Sequence, residues 1–173
     1  VLTALFSCGL LVLGQQVLLI NEEKKMMPNH CYQSVYVQGP RAVVHELFYQ
    51  LTEHNRFCDA VIPMSLEMAA DGYDGYHWRV ENWGTKWDVA EAEIVSDYES
   101  DEFDHESKTD NGKAWFAFRC WTAWAPPVPV WDKLHAMGVT VEAEYQDEGG
   151  MFEGEYSGGE NRSWVPDLEE EAV

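Results

Sequence analysis

Positive charge is what this chain most conspicuously lacks. Against 31 Asp and Glu it carries 11 Lys and Arg, a formal net charge of −20 over 173 residues. Such a surface repels a phosphate backbone, so direct nucleic-acid binding is not expected. Its four cysteines, Cys8, Cys31, Cys58 and Cys120, form no CxxC pair and no disulfide-like cadence. That pattern argues against a stapled secreted scaffold and for a reducing, cytoplasmic setting. The six histidines never repeat at metal-ligand spacing. The run "HELFY" begins like a zincin, but Tyr49 stands where the second histidine must be, so one helix face cannot bind zinc. A GxSxG elbow, a phosphate-binding glycine loop and a Cys–His signature are missing as well, which leaves no catalytic residue to name and no metal or cofactor to expect.

What is present is enough apolar material for a core, at 46% hydrophobic and 13% aromatic residues, which excludes wholesale disorder. The charge is lopsided. Residues 1–90 hold 10 acids and 6 bases, 6 − 10 = −4, and residues 91–173 hold 21 acids and 5 bases, 5 − 21 = −16. Solubility accounts for an acidic surface, and so does attraction to a basic protein partner.

Three parts are expected. Residues 1–26 include "VLTALFSCGLLVLGQQVLLI", about the minimum length for a membrane span. The stretch has no basic n-region and no A-x-A site, and Gly14-Gln15-Gln16 interrupts it. The following Glu-Glu-Lys-Lys, just ahead of Met26-Met27, is encoded by purine-rich codons resembling a ribosome-binding site. Two readings fit: a natural start at Met26 or Met27 with upstream DNA read through, or an N-terminal anchor. No membrane association is expected unless residues 1–20 are translated. Residues 27–157 read as the folded domain, and 158–173 as an acidic tail.

Within the domain, "HCYQSVYVQG" alternates as a first strand. "RAVVHELFYQLTEHN" places Val43, Val44, Leu47, Phe48 and Leu51 at helical spacing. Residues 57–86 read as irregular, with a short helix at 63–69. "KWDVAEAEIVSDYE" and "AWFAFRCWTAW" give second and third strands around a loop with an Asn111-Gly112 turn signal. "PPVPVWDKLHAMG" is a second helix, started by Pro126-Pro127 and stopped at Gly138. "VTVEAEYQDEG" is a fourth strand, and "GMFEGEYSGG" suggests a short fifth. The order β-α-β-β-α-β predicts an α+β, ferredoxin-like sandwich: a four-stranded antiparallel sheet with two helices on one face.

Strand alternation then says what the other face carries. Phe116, Phe118 and Cys120, with Ala90, Ala92 and Ile94, and with Val139, Val141, Ala143 and Tyr145, form the inward phase. Outward go Trp115, Arg119 and Trp121, flanked by Glu91 and Glu93 on one side and Glu142 and Glu144 on the other. Cross-strand Glu–Arg pairing explains such a surface without any partner. An interaction patch explains it too, since Trp and Arg are favoured anchors.

The segments "MPNHCYQSVYVQG", "RVENWGTKWDV", "FRCWTAWAPPVPVWDKL" and "EYQDEGGMFEGEY" resemble the YubB-like ferredoxin-like family of plasmid and phage proteins, over about residues 27–157. The resemblance implies a ferredoxin-like domain encoded on mobile DNA; it implies no reaction and no catalytic residues. The acidic insert "DYESDEFDHESKTD" departs from the family pattern.

Two functional expectations follow. The first is a non-enzymatic phage or plasmid accessory protein that modulates or inhibits a host nucleic-acid-binding or defence protein through its acidic surface. The second is a small-molecule binder or enzyme using an aromatic corner where Trp83 or Trp87 meets Trp124 and Pro126, with Trp78, Asn82 and Lys86 beside it. In the enzyme form, His77, Asn82 and Lys86 would meet Glu148. Self-association through the open sheet is a third outcome. Asp97, Glu99, Asp101, Glu102, Asp104 and Glu106 could loosely hold Ca²⁺, but lack the EF-hand glycine and glutamate spacing, so a solvated loop is expected.

Overall fold

The computed structural model describes residues 29–70, 72–95 and 112–166. Strand β1 (His30–Pro40) leads into helix α1 (Arg41–His54), followed by helices α2 (Cys58–Val61), α3 (Leu66–Ala70) and α4 (Gly72–Trp83). Strands β2 (Ala90–Ile94) and β3 (Lys113–Ala123) come next, then helix α5 (Val128–Ala136) and strands β4 (Thr140–Asp147), β5 (Glu153–Ser157) and β6 (Glu160–Trp164). The strands form one sheet in the order β2-β3-β1-β4-β5-β6, and each neighbouring pair is antiparallel.

The α+β class and the antiparallel sheet are therefore as expected, but the sheet has six strands, not four. β5 is the short fifth strand that its sequence suggested. β6 falls within the stretch that read as tail, because "ENRSW" is exposed at every position and hydrophobic periodicity is silent there. The signal that was available is the Gly158-Gly159 pair, both at positive φ (62° and 83°) between Ser157 and its partner Glu160. Two such residues are what a two-residue hairpin turn requires.

A second correction concerns residues 57–86. They hold three helices, the longest being the 12-residue α4, where an irregular stretch with one short helix was expected. Gly72 and Gly75 lower the intrinsic helix propensity of α4, and packing of Trp78 and Trp83 against the core restores it.

One face of the sheet is buried. Cys31, Val35 and Val37 of β1, Phe116, Phe118 and Cys120 of β3, Val141, Ala143 and Tyr145 of β4 and Tyr156 of β5 all point into the core. Phe48 of α1 meets Phe116 edge-on at 5.5 Å, and Trp131 of α5 packs on Tyr145 at 6.2 Å and Tyr156 at 5.3 Å. Helices α1 and α5 thus cover this face. α1 ends where Asn55 adopts a left-handed conformation (φ 51°), with its N–H and that of Arg56 donating to Leu51 O and Gln50 O, a common way to stop a helix. Removing the fully buried Trp131 as Trp131→Ala should cost about 3–5 kcal/mol, read as a lower urea midpoint.

The three described cysteines are free and buried. Burial, reinforced by the nearby Asp147 charge, pushes the Cys31 thiol up from 9.0 to about 12. Burial likewise raises Cys58 and Cys120, with the Asp88 charge acting in the same direction. Well below pH 9 the thiols are neutral whether the chain is folded or not, and stability is unaffected. As pH climbs from the unfolded value toward about 12, only the unfolded chain releases these protons, so stability must fall. The urea midpoint should drop between pH 9 and pH 11, and less steeply in Cys31→Ala.

Candidate protein-interaction face

The face left uncovered by α1 and α5 is organised in rows, because residues paired across antiparallel strands project to the same side. One row runs Glu93 (β2), Arg119 (β3), Ser34 (β1), Glu144 (β4), Glu155 (β5) and Arg162 (β6). Beside it run Trp121, Tyr32, Gln146, Glu153 and Trp164 on the last five of these strands. On the other side stand Ala117, Tyr36 and Glu142, and beyond them Trp115 opposite Gln38. The small side chains Ser34 and Ala117 lower the floor, and two shallow concavities of about 500 Å³ and 510 Å³ lie over it. Arg119, Glu144 and Glu155 border both.

The outward set Trp115, Arg119, Trp121, Glu93, Glu142 and Glu144 thus shares one face. β2 differs in detail. Its register slips between Ala90 and Glu93, and Glu91 has φ 50°. This bulge sets Ala90 opposite Trp121 on the open face rather than inward, while Ala92 and Ile94 still pack on the core. Alternation fails there because a bulge inserts one residue and resets the phase. Tyr32, Ser34 and Tyr36 were legible from the alternation of β1. Glu153, Glu155, Arg162 and Trp164 depended on β5 and β6 being recognised.

Cross-strand ion pairing does not explain this surface. Arg119 stands opposite both Glu93 and Ser34, yet the ion pairs among the described residues are Arg56–Asp59, Arg162–Glu155 and Arg162–Glu160, joined by His30–Glu148 only when that imidazole is protonated. Glu144 and Glu155 are direct cross-strand neighbours of like charge, an arrangement that costs stability. Arg162 relieves only the Glu155 side, at 3.5 Å. At the end of the face His30 stacks on Trp121 at 4.0 Å, its N–H donating to Glu148 Oε2 at 3.0 Å. Trp115 and Tyr36 lie 5.5 Å apart, and Trp164 Nε1 donates to Glu153 Oε1 at 2.6 Å.

Of the two rings expected at the tryptophan corner, Trp87 shares Lys86 Nζ with Trp124, whereas Trp83 is engaged elsewhere. Trp83 ends α4, is 3% exposed, donates Nε1 to Ile62 O at 2.9 Å and meets Trp78 edge-on at 5.7 Å. It therefore packs inside. Gly84 turns the chain at φ 78°, where a Cβ would come 3.0 Å from Pro129 Cδ; glycine suits both demands. Thr85 is buried, and its hydroxyl donates to Ala123 O at 3.0 Å while accepting from Ala123 N–H at 3.2 Å. Trp87 meets Trp121 of the open face edge-on at 5.9 Å. Pro126 is buried, and its carbonyl lies near Gly84. Trp124 is 38% exposed.

Asp88 closes the segment. Its Oδ1 accepts the N–H groups of Phe57 (3.0 Å), Cys58 (2.8 Å) and Val89 (2.8 Å), and its Oδ2 that of Asp59 (2.9 Å). One carboxylate thus satisfies the opening donors of α2, the groups a helix cannot satisfy itself.

The residues of the enzyme constellation have other engagements. Asn82 Nδ2 donates to Trp78 O at 2.9 Å within its own helix, Glu148 is occupied by His30, and His77 is exposed beside Tyr76. A cavity of about 460 Å³ does lie against Trp83, Trp87 and Asp88, with Arg56, Arg79 and Asp59 at its wall, but Trp124 does not line it. Among the described residues no group of three or more His, Cys, Asp or Glu could hold a metal ion, and no helix is long and apolar enough to cross a membrane. The acidic run from Asp97 to Glu106 lies outside the described residues.

Comparison with protein-family models, curated proteins and solved structures finds no match to this chain.

Replacing Asp88 by Ala leaves the opening amides of α2 without their acceptor and should cost about 2–3 kcal/mol. Urea denaturation measures the loss. Hydrogen exchange should show the protection of Cys58 and Asp59 falling more than that of β1.

Proposed function

We propose that this chain is a non-enzymatic protein-binding module whose open sheet face docks on a basic protein surface. The observation that carries the reading is the mismatch on that face. Glu144 opposes Glu155 directly, Glu93 and Glu142 add to the same sign, and Arg119 makes no ion pair among the described residues. A sheet that served stability alone would pair these charges. A lysine- or arginine-bearing partner supplies the missing cations, and exposed rings such as Tyr32 (48%) and Trp164 (46%) supply anchors.

The same reading takes β1 to β4 with α1 and α5 as a ferredoxin-like unit, extended at the β4 edge by the β5–β6 hairpin. The β2-β3-β1-β4 order supports it. With the family resemblance, it makes the chain an accessory protein of a plasmid or phage, and a host nucleic-acid-binding or defence protein, with a basic groove, its natural target.

Binding to a lysine- and arginine-rich peptide, followed by calorimetry across a salt series, tests the docking face. Glu142→Gln, Glu144→Gln and Glu155→Gln together should weaken binding about tenfold or more and flatten its salt dependence. Glu46→Gln, Glu53→Gln and Glu81→Gln remove the same charge from exposed helical positions and should do far less. Equal losses in the two triple variants would reduce the effect to net charge and defeat the proposal.

A further inference from the structure

A second feature lies at the end of the sheet, apart from the carboxylate rows. Lys86 Nζ stands 5.2 Å from the centre of the Trp87 ring and 5.3 Å from that of Trp124. Tyr76 meets Trp124 at right angles, 6.1 Å away. In a chain of net charge −20, this ammonium pairs with no carboxylate among the described residues and lies over two indoles instead.

The backbone is arranged to keep those rings in place. Trp124 has φ 70°, a conformation that bulky L-residues rarely adopt and that costs free energy. The flanking chain holds it there: Trp124 N–H donates to Asn29 O at 2.9 Å, and Thr85 grips the backbone of the preceding Ala123. The Lys86 backbone is pinned separately, its carbonyl accepting Arg79 Nε at 2.7 Å. The lysine side chain can therefore swing away without disturbing the turn that carries it. Glycine would remove the strain at position 124, yet the position holds a partly exposed tryptophan.

We propose that Trp87 and Trp124, with Tyr76 behind Trp124, form an aromatic cage for an alkylammonium group, and that Lys86 is its built-in occupant. The ligand class follows from what the cage already holds: a compact cation whose partners are ring faces. A partner presenting such a group, as a lysine or methylated lysine side chain, would displace Lys86.

Tetramethylammonium chloride is the probe, titrated at constant ionic strength against sodium chloride while the indole N–H resonances of the full chain are followed. In Lys86→Ala the Trp87 and Trp124 signals should shift saturably, with an apparent affinity roughly tenfold above that of the unsubstituted chain. Lys86→Met refills the space without charge and should behave like the parent. Adding Trp124→Gly to Lys86→Ala should abolish the response, and since glycine accepts the positive φ the fold should survive. No gain on removing Lys86, a gain equal in Lys86→Met, or a response that persists without Trp124 would each overturn the cage.

Discussion

The carboxylate of Asp88 is the interaction on which the arrangement of this chain most depends. It gathers backbone N–H groups from Phe57, Cys58 and Asp59, about thirty residues earlier, together with its neighbour Val89. By doing so it anchors the entry of the helical excursion to the start of β2. Phe57 is then held against Phe118 at 5.1 Å, and Trp87, one residue before the carboxylate, is delivered to Trp121 on the opposite face. Thr85 makes the matching attachment to the end of β3. Six residues from Trp83 to Asp88 thereby tie α4, α2, β2 and β3 together, and most of their side chains are consumed in doing it.

That segment leaves the two faces of the sheet under different rules. The helical side of the sheet is a closed apolar core; the buried Gln33 donates to Thr122, whose hydroxyl donates to Ala125 O at 2.7 Å, while the buried Trp131 Nε1 finds no acceptor among the described residues. The other side obeys opposite rules: like charges face each other, the Arg119 guanidinium makes no ion pair among the described residues, and aromatic rings remain in contact with solvent. Burial governs the first face. On the second, charge is left without the cross-strand pairing that would stabilise it, which is the feature the proposed docking would use.

Much of this was legible in the sequence, and the failures are instructive. The alternation of "AWFAFRCW" separates Phe116 and Phe118 from Trp115, Arg119 and Trp121 because one face of β3 is buried and the other is not. In β6 the same method fails: Glu160, Asn161, Arg162, Ser163 and Trp164 are all exposed, so no periodic burial marks the strand. Ala90 turns to the open face against its alternation because a bulge shifts the phase without any local hydrophobic signal. Trp83 and Trp87 read as equivalent members of one corner. Their roles diverge because Gly84 reverses the chain between them, sending one ring beneath Ile62 and the other to the open sheet.

By itself the sequence determined the mixed class, the antiparallel strands, the two covering helices and the sign of the surface, since these follow from the period of apolar residues and a count of charges. Only the tertiary structure decided that Glu144 faces Glu155, that Arg119 makes no ion pair among the described residues, and that Lys86 lies over both Trp87 and Trp124. Those relations join residues eleven (Glu144 and Glu155), twenty-six (Glu93 and Arg119) and thirty-eight (Lys86 and Trp124) positions apart, and the first two depend on the register of separate strands. Register and turn geometry are set by packing across the whole domain, which no local pattern encodes.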